Sequence, residues 1–262
     1  MSSTMMALTA PQRSRFAEDG FVVLRGAVAP ERVRAAREAI GSALESDESI
    51  GEMPRFLADT FCASIVDSPA ILALFDPIRP AIESLFGIDP APRADVPQIA
   101  LRFPQRARDG ASAAFHLDGF PTGLNGVPGG TLFRQTLLAG VYLTPLRGPD
   151  RGNFVVWPGS HLFFARFFRA LDVPRFLAEH GPEALLSRVR AEHPGPAQQL
   201  EVEIGDVVLA HHLLAHGAAD NLSLRTREAV YCRFMHPADD VRDPAPLTDA
   251  TRFFDGVDWS AC

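Results

Sequence analysis

Lysine is absent from these 262 residues: all 25 cationic side chains are arginine, and against 32 acids they leave a formal charge of −7. No basic run or stripe appears, so the chain offers no counter-surface to a phosphate backbone or an anionic bilayer. The expectation is that neither nucleic acid nor membrane is a partner. Cysteine is scarce too. Cys62, Cys232 and Cys262 are odd in number and far apart, with no Cys-x-x-Cys pair, which argues against a disulfide scaffold and a thiolate zinc site. No stretch approaches the ~20 apolar residues that cross a bilayer. Met1 to Ala10 lacks a positive region followed by a long apolar run, so it does not read as a signal peptide. These absences together suit a reducing cytoplasm, and a monomer or homodimer is expected.

What is present is enough apolar material (47% hydrophobic residues) for a substantial core. With no internal repeat and no linker, the chain reads as a single domain over 1–262, its core about 16–236 and an irregular Asp- and Pro-rich tail, 237–262, along the surface. The N-terminal third is helical. Pro11 to Asp19 suits a short helix and Phe21-Val-Val-Leu-Arg-Gly a strand. From Pro30 a helix follows, with Val33, Ala36, Ile40, Ala43 and Leu44 at helical spacing. Pro69 to Phe86 reads as a second helical region interrupted by Pro77 and Pro80.

From Gln98 the period changes. Ile99, Leu101 and Phe103 alternate with polar or small residues, the pattern of a half-buried strand. Further strands are expected at Phe133–Leu143, Asn153–Trp157, Gln199–Ile204, Asp206–Ala210 and Arg227–Met235, with one helical insertion at about Phe163 to Arg190. Many short strands flanked by helices predict a mainly β fold with a jelly-roll core.

Two segments carry chemistry. In Phe115-His116-Leu117-Asp118-Gly119, an extended backbone puts His116 and Asp118 on one side and Leu117 on the other. An imidazole and a carboxylate are two-thirds of the facial triad that oxygen-activating iron(II) uses. The third ligand must come from elsewhere. Gly205-Asp-Val-Val-Leu-Ala-His211-His212-Leu-Leu-Ala-His216-Gly217 offers three histidines, with Gly217 placed to let the backbone turn after His216. Because His211 and His212 are adjacent, at most one can face a metal. Downstream, Arg225 and Arg227 lie at the opening of a strand; a guanidinium there can hold a carboxylate through two parallel hydrogen bonds. Arg225 reads as a solvated turn residue.

With these motifs in order, the chain resembles the phytanoyl-CoA dioxygenase family of iron(II)- and 2-oxoglutarate-dependent oxygenases over roughly Phe16 to Phe234. The residues that carry the resemblance are Phe21-Val-Val-Leu-Arg-Gly, His116-Leu-Asp118-Gly119, Gly152-Asn-Phe-Val-Val-Trp-Pro-Gly-Ser-His161, Gly205-Asp-Val, His216-Gly217, Asn221-x-Ser223 and Arg227. The resemblance implies a double-stranded β-helix with iron(II) on His116, Asp118 and His216. It pairs His216 with Arg227, eleven residues on, as the arginine that clamps 2-oxoglutarate, and implies a second co-substrate contact from Gln98. His161 is implied to be a structural turn residue and not a ligand. The implied reaction consumes dioxygen and 2-oxoglutarate, releases succinate and carbon dioxide, and hydroxylates an unactivated C–H bond. Phe115, Phe120 and the stretch Pro121 to Arg134 are expected to shape the pocket or to belong to the core. Two other readings stand beside this one: a cupin-like binding protein or isomerase using zinc or manganese, and a catalytically silent oxygenase homologue. An intact triad and a retained arginine speak against both.

Overall fold

A computed structural model describes residues 7–45, 67–94, 96–105, 114–121, 127–240, 242–260 and 262. Cys62 and the middle of the expected pocket loop, residues 122–126, lie outside the described residues. The eight-residue strand β8 (Arg227–Phe234) shows how the sequence builds the core. Its side chains alternate, so that Val230, Cys232 and Phe234 enter one hydrophobic cluster while Ala229 and Tyr231 enter another. β8 pairs antiparallel with β2 (Gln98–Arg102) on one side and with β3 (Leu137–Tyr142) on the other. β3 in turn pairs with β6 (Val207–His211), and β6 with β1 (Phe21–Leu24), giving a five-stranded antiparallel sheet in the order β1-β6-β3-β8-β2. A smaller sheet sets β4 (Phe154–Val156) between β5 (Gln198–Gln199) and β7 (His216–Ala218). Phe154 and Val156 of the small sheet meet Ala100, Leu138, Tyr142 and Tyr231 of the large one, so the two sheets face each other as in a jelly roll.

The outer face of the large sheet is covered by helices. Helix α1 (Ala10–Asp19) opens with a capping box between Thr9 and Gln12. α2 (Pro30–Glu45) buries Val33, Ala36, Ile40 and Ala43, the stripe its spacing predicts. The region from Pro69 divides into α3 (Pro69–Leu72), a 3-10 turn (Asp76–Ile78) and α4 (Arg79–Phe86). Pro80 sits in the first turn of α4, where a missing N–H costs nothing, so it starts this helix and does not break it. The expected single insertion is two helices, α5 (Ser160–Ala170) and α6 (Val173–Arg190), the latter kinked at Gly181 ahead of Pro182. They pack over Val155, Trp157, Leu213 and Ala215 in a cluster of their own.

Two expectations need correction. Gln199–Ile204 is a strand only at its start; beyond Gln199 it makes one isolated bridge, Val202 to Leu146. The tail from 237 is irregular apart from a 3-10 turn at Ala245–Thr248, but it does not merely follow the surface. Phe254 is fully buried, its ring 5.2 Å from Phe16, 5.7 Å from Phe86 and 4.7 Å from His211. Asp239 is buried against Arg134: one guanidinium nitrogen donates to its Oδ2 at 2.7 Å, the other to its Oδ1, and the Thr136 hydroxyl adds a third bond at 2.6 Å. A buried carboxylate is tolerated only when satisfied in this way. The apolar residues Leu247, Phe253, Phe254 and Val257 are diluted by Asp and Pro in sequence, which hides the segment's core role.

The seam beneath this segment holds three buried histidines. His211 Nε2–H donates to Ala250 O at 2.8 Å while its Nδ1 accepts from Leu213 N–H at 3.0 Å, and His161 Nε2–H donates to Ala17 O at 3.0 Å. Burial above all pushes His161 down to about 4 and His212 to about 3, and holds His211 well below the ordinary value. In the folded state these imidazoles are neutral, whereas the unfolded chain protonates them near 6.5. The unfolded state therefore binds more protons below that point, and stability present above pH 6.5 is lost as pH falls toward 4. Each such histidine steepens the loss by up to about 1.4 kcal/mol per pH unit. Urea unfolding at pH 7.5, 6 and 5 should show a falling midpoint, and His161→Gln should flatten that dependence; an unchanged slope would place the acid sensitivity elsewhere.

Candidate metal centre

The site begins with a β-bridge. His116 N–H donates to His216 O at 2.9 Å and His216 N–H returns a bond to His116 O at 3.1 Å, an isolated antiparallel pair that extends the small sheet past β7. Directly paired residues stand on the same face, and the two imidazole centroids are 4.4 Å apart. Two residues on, Asp118 Oδ1 lies 3.4 Å from His116 Nε2 and 3.6 Å from His216 Nε2. Leu117 between them is buried in the cluster under α5, as the alternation of an extended segment requires. The three donor atoms all lie within 4.8 Å of one another, the one such group of histidine, cysteine or acidic donors among the described residues.

Hydrogen bonds orient each donor. His216 Nδ1 lies 2.9 Å from Leu214 O; a carbonyl only accepts, so the proton is on Nδ1 and the Nε2 lone pair faces Asp118. Phe154 stacks on the same ring at 5.2 Å. Asp118 Oδ2 accepts from Arg233 Nε at 2.9 Å and Gln135 Nε2 at 3.1 Å, leaving Oδ1 to the histidines. Burial raises the Asp118 carboxyl, but the Arg233 guanidinium, with the two histidines beside it, outweighs burial and holds the group well below the usual carboxylate range. The packed surroundings of His116, with His216 beside it, push its imidazole down although its edge is open to solvent. A neutral imidazole and an ionised carboxylate are the forms in which these groups bind metals. Gly217 does not turn the chain after His216; it stays in β7, and its missing Cβ admits Ala114 O, which would lie 2.7 Å from that atom.

A second polar region lies on the inward face of β8. Arg227 is 4% exposed; its guanidinium donates to Ala100 O at 3.4 Å and Tyr231 Oη at 3.5 Å, and its Nε is buried without a partner. A buried cation with an unsatisfied N–H is suited to an anion. Arg225, two residues earlier, is exposed. Gln98 pairs with Tyr231 in register, and its Oε1 accepts from Arg233 NH1 at 2.8 Å. Between the two regions, Tyr231 shares a 3.2 Å hydroxyl contact with the buried Tyr142, and Phe154 touches both the Tyr231 ring at 5.8 Å and His216.

His116, Asp118 and His216 thus come together, with Gln98 joined to Asp118 through Arg233, while His161, His211 and His212 lie in the seam under the C-terminal segment. Phe115 and Phe120 pack in the cluster of α5 and α6, on the core side of the earlier expectation. Sequence reasoning missed Arg233 and Gln135. Arg233 had a signal, because residues 227, 229, 231 and 233 share one face of a strand. Gln135 sits in an irregular segment and had none.

Two facing antiparallel sheets that bring two imidazoles and a carboxylate to one point define a jelly-roll protein with a candidate two-histidine, one-carboxylate centre. The chain belongs to the phytanoyl-CoA dioxygenase (PhyH) family, whose model matches residues 16–229. No curated protein matches the chain. Among solved structures it is similar in fold to EctD from S. alaskensis (TM-score 0.58, 19% identity, covering 91% of this chain and 80% of that one). It is similar also to the non-heme alpha ketoglutarate dependent carbocyclase SnoK from nogalamycin biosynthesis (TM-score 0.57, 22% identity, covering 87% and 84%). A third is HygX from Streptomyces hygroscopicus with nickel, 2-oxoglutarate and hygromycin B bound (TM-score 0.55, 18% identity, covering 88% of each chain).

Gly140 of β3 gives Tyr231 its place, since a Cβ there would lie 2.5 Å from the tyrosine ring. Gly140→Ala is expected to cost about 1–3 kcal/mol by crowding a filled core. Chemical denaturation measures it, and a variant as stable as the parent would show that the ring can retreat.

Proposed function

We propose that this protein is an iron(II)- and 2-oxoglutarate-dependent oxygenase that hydroxylates an unactivated C–H bond of a small molecule, with release of succinate and carbon dioxide. The observation that carries this reading is the convergence of His116, Asp118 and His216 within 4.8 Å, inside the sheet pair that also buries Arg227 with an orphaned Nε. The donor set fits iron(II): two neutral nitrogens and one carboxylate on one face leave the opposite positions open for a chelating co-substrate and dioxygen. When bound, iron supplies the oxidative decarboxylation of 2-oxoglutarate and the oxidising power that attacks the C–H bond.

The chain's own residues position and shield. Leu214 O fixes the tautomer of His216, and Arg233 and Gln135 turn Asp118 Oδ1 inward. Arg227 holds the far carboxylate of 2-oxoglutarate through two N–H donors, one of them the Nε that now lacks an acceptor. Gln98 contributes a second co-substrate contact. Phe154, Tyr142 and Tyr231 exclude water around that carboxylate, which strengthens the ion pair. A simple cupin has no use for such a clamp. HygX holds hygromycin B and SnoK is a carbocyclase of nogalamycin biosynthesis, small-molecule roles on this fold that support a small-molecule substrate here. The absence of lysine and of a basic cluster weakens the case for a coenzyme A handle. Iron(II), and cysteines too few and too scattered for a disulfide scaffold, suit a reducing cytoplasm.

His116→Ala, Asp118→Ala and His216→Ala are each expected to abolish iron binding or turnover, whereas His211→Ala and His212→Ala lose stability but keep metal. In the same anaerobic titrations Arg227→Ala should weaken 2-oxoglutarate by about 10²-fold, since losing a buried charged pair costs roughly 2–5 kcal/mol, and Arg225→Ala should change it little. Retention of full iron occupancy by His216→Ala, or the reverse order of the two arginines, would overturn the assignment.

Asp118 also decides the product. Its carboxylate occupies the metal position that a halide would need, so turnover in chloride-rich buffer should add one oxygen atom, derived from dioxygen, and no chlorine. Mass spectrometry with labelled dioxygen reads this directly; a chlorinated product would show that Asp118 does not bind the metal.

A further inference from the structure

Arg233 does more than turn Asp118 Oδ1 inward. It stands on the inward face of β8, three alternations beyond Arg227, and is opposite Leu138 in register. Its guanidinium joins two groups from different parts of the chain: Nε donates to Asp118 Oδ2 at 2.9 Å and NH1 donates to Gln98 Oε1 at 2.8 Å. Asp118 follows an isolated bridge at the edge of the small sheet, and Gln98 opens the edge strand of the large one. Arg233 is thus a strut between the two sheets at the candidate metal centre. Only a planar fork with separately directed N–H groups spans two acceptors in this way; an ammonium is a point donor.

Each bond leaves its partner with one defined function. A carboxylate has two oxygens and could bind a metal through one or both. With Oδ2 engaged by Arg233 and by Gln135 at 3.1 Å, only Oδ1 is turned toward the two imidazole nitrogens. A carboxamide has one accepting end and one donating end. With Oε1 engaged by Arg233, Gln98 has its NH₂ left to offer, and an NH₂ donor is what a 2-oxo acid, which carries only acceptors at pH 7, can use. We propose that Arg233 is a positioning residue that sets both groups at once: it confines Asp118 to one-oxygen ligation and fixes the Gln98 amide with its donor toward the co-substrate. This inference rests on the proposed triad and co-substrate site and adds to them how the carboxylate and the amide are made to choose their ends.

The consequence is a coupling between metal geometry and co-substrate affinity through a residue that need touch neither. Removing the strut would leave Asp118 Oδ2 held by Gln135 alone and so able to turn toward the metal, taking a position that 2-oxoglutarate needs, and it would free the Gln98 amide to flip. The test uses the whole protein under anaerobic conditions with cobalt(II), whose visible absorption reports coordination number, and with 2-oxoglutarate. The unmodified protein must first bind both; if it does not, the proposed function fails and the strut is not at issue. Given that binding, Arg233→Met is expected to retain cobalt(II) with a changed visible spectrum. It should also weaken 2-oxoglutarate about tenfold, the size of one hydrogen bond to a charged group. Arg233→Lys, which keeps the charge but not the fork, should restore at most one of the two properties. A double-mutant cycle isolates the path: if Arg233 acts on the co-substrate through Gln98 and Asp118, then Arg233→Met added to Gln98→Ala should cost less than Arg233→Met alone. A cobalt(II) spectrum and a 2-oxoglutarate affinity both unchanged in a folded Arg233→Met protein would overturn the proposal. So would losses with Gln98→Ala that simply add. Should Arg233→Met fail to fold, Arg233→Lys carries the same spectral and affinity measurements, and full retention of both would overturn it equally.

Discussion

Two backbone hydrogen bonds between His116 and His216 hold the candidate centre together, and much else in the molecule serves to keep them in place. An isolated bridge has no neighbouring ladder to support it, so the strands on either side of it matter. β7 carries His216 because it pairs with β4, and Phe154 of β4 packs its ring on the imidazole. The segment bearing His116 is held by burial of Leu117 and Phe120 beneath the long helices and by the close approach that Gly217 permits. The helical insertion is therefore the floor under one arm of the candidate centre, and the short β4 and β7 are long enough because their packing, not their length, fixes them.

The large sheet makes a different contribution. Its outer face is covered by the N-terminal helices, and its inner face sets Arg227, Tyr231 and Arg233 in line along β8 beside an apolar cluster. Period-two alternation makes the two roles compatible, since Val230 and Cys232 stabilise the fold from the opposite side of the strand. Arg227 Nε is buried on the inner face without an acceptor, and an unsatisfied donor in a buried cationic group is an expense that a ligand removes.

The C-terminal segment links these parts. Arg134 and Thr136 anchor Asp239, while Gln135 between them reaches Asp118. One three-residue stretch thus binds the strap on one side and the Asp118 carboxylate on the other, as alternation of an extended chain allows. Above the histidine seam, Phe254 and the carbonyl of Ala250 close the same strap over α1 and β6.

Local regularities made a large part of this legible in advance. The stripe of α2, the alternation in β2 and β8, and the pairing of His116 with Asp118 all follow from periods that a residue and its near neighbours define. That His216, and not His211 or His212, stands beside His116 and Asp118 was expected only from the family resemblance, because spacing alone left three histidines in competition. Four features had no such local rule. β7 is too short to show a pattern, the C-terminal segment hides its buried aromatics among Asp and Pro, Gln135 lies in irregular chain, and the Arg233 strut joins residues 115 and 135 positions apart. Sequence by itself determined which side chains share a face, because that depends on the geometry of a single strand or helix. Which faces meet, and so which carboxylate oxygen is free and which arginine lacks an acceptor, was decided only when the two sheets closed on each other, since hydrogen-bond satisfaction in a buried site is a property of distant partners and not of any one segment.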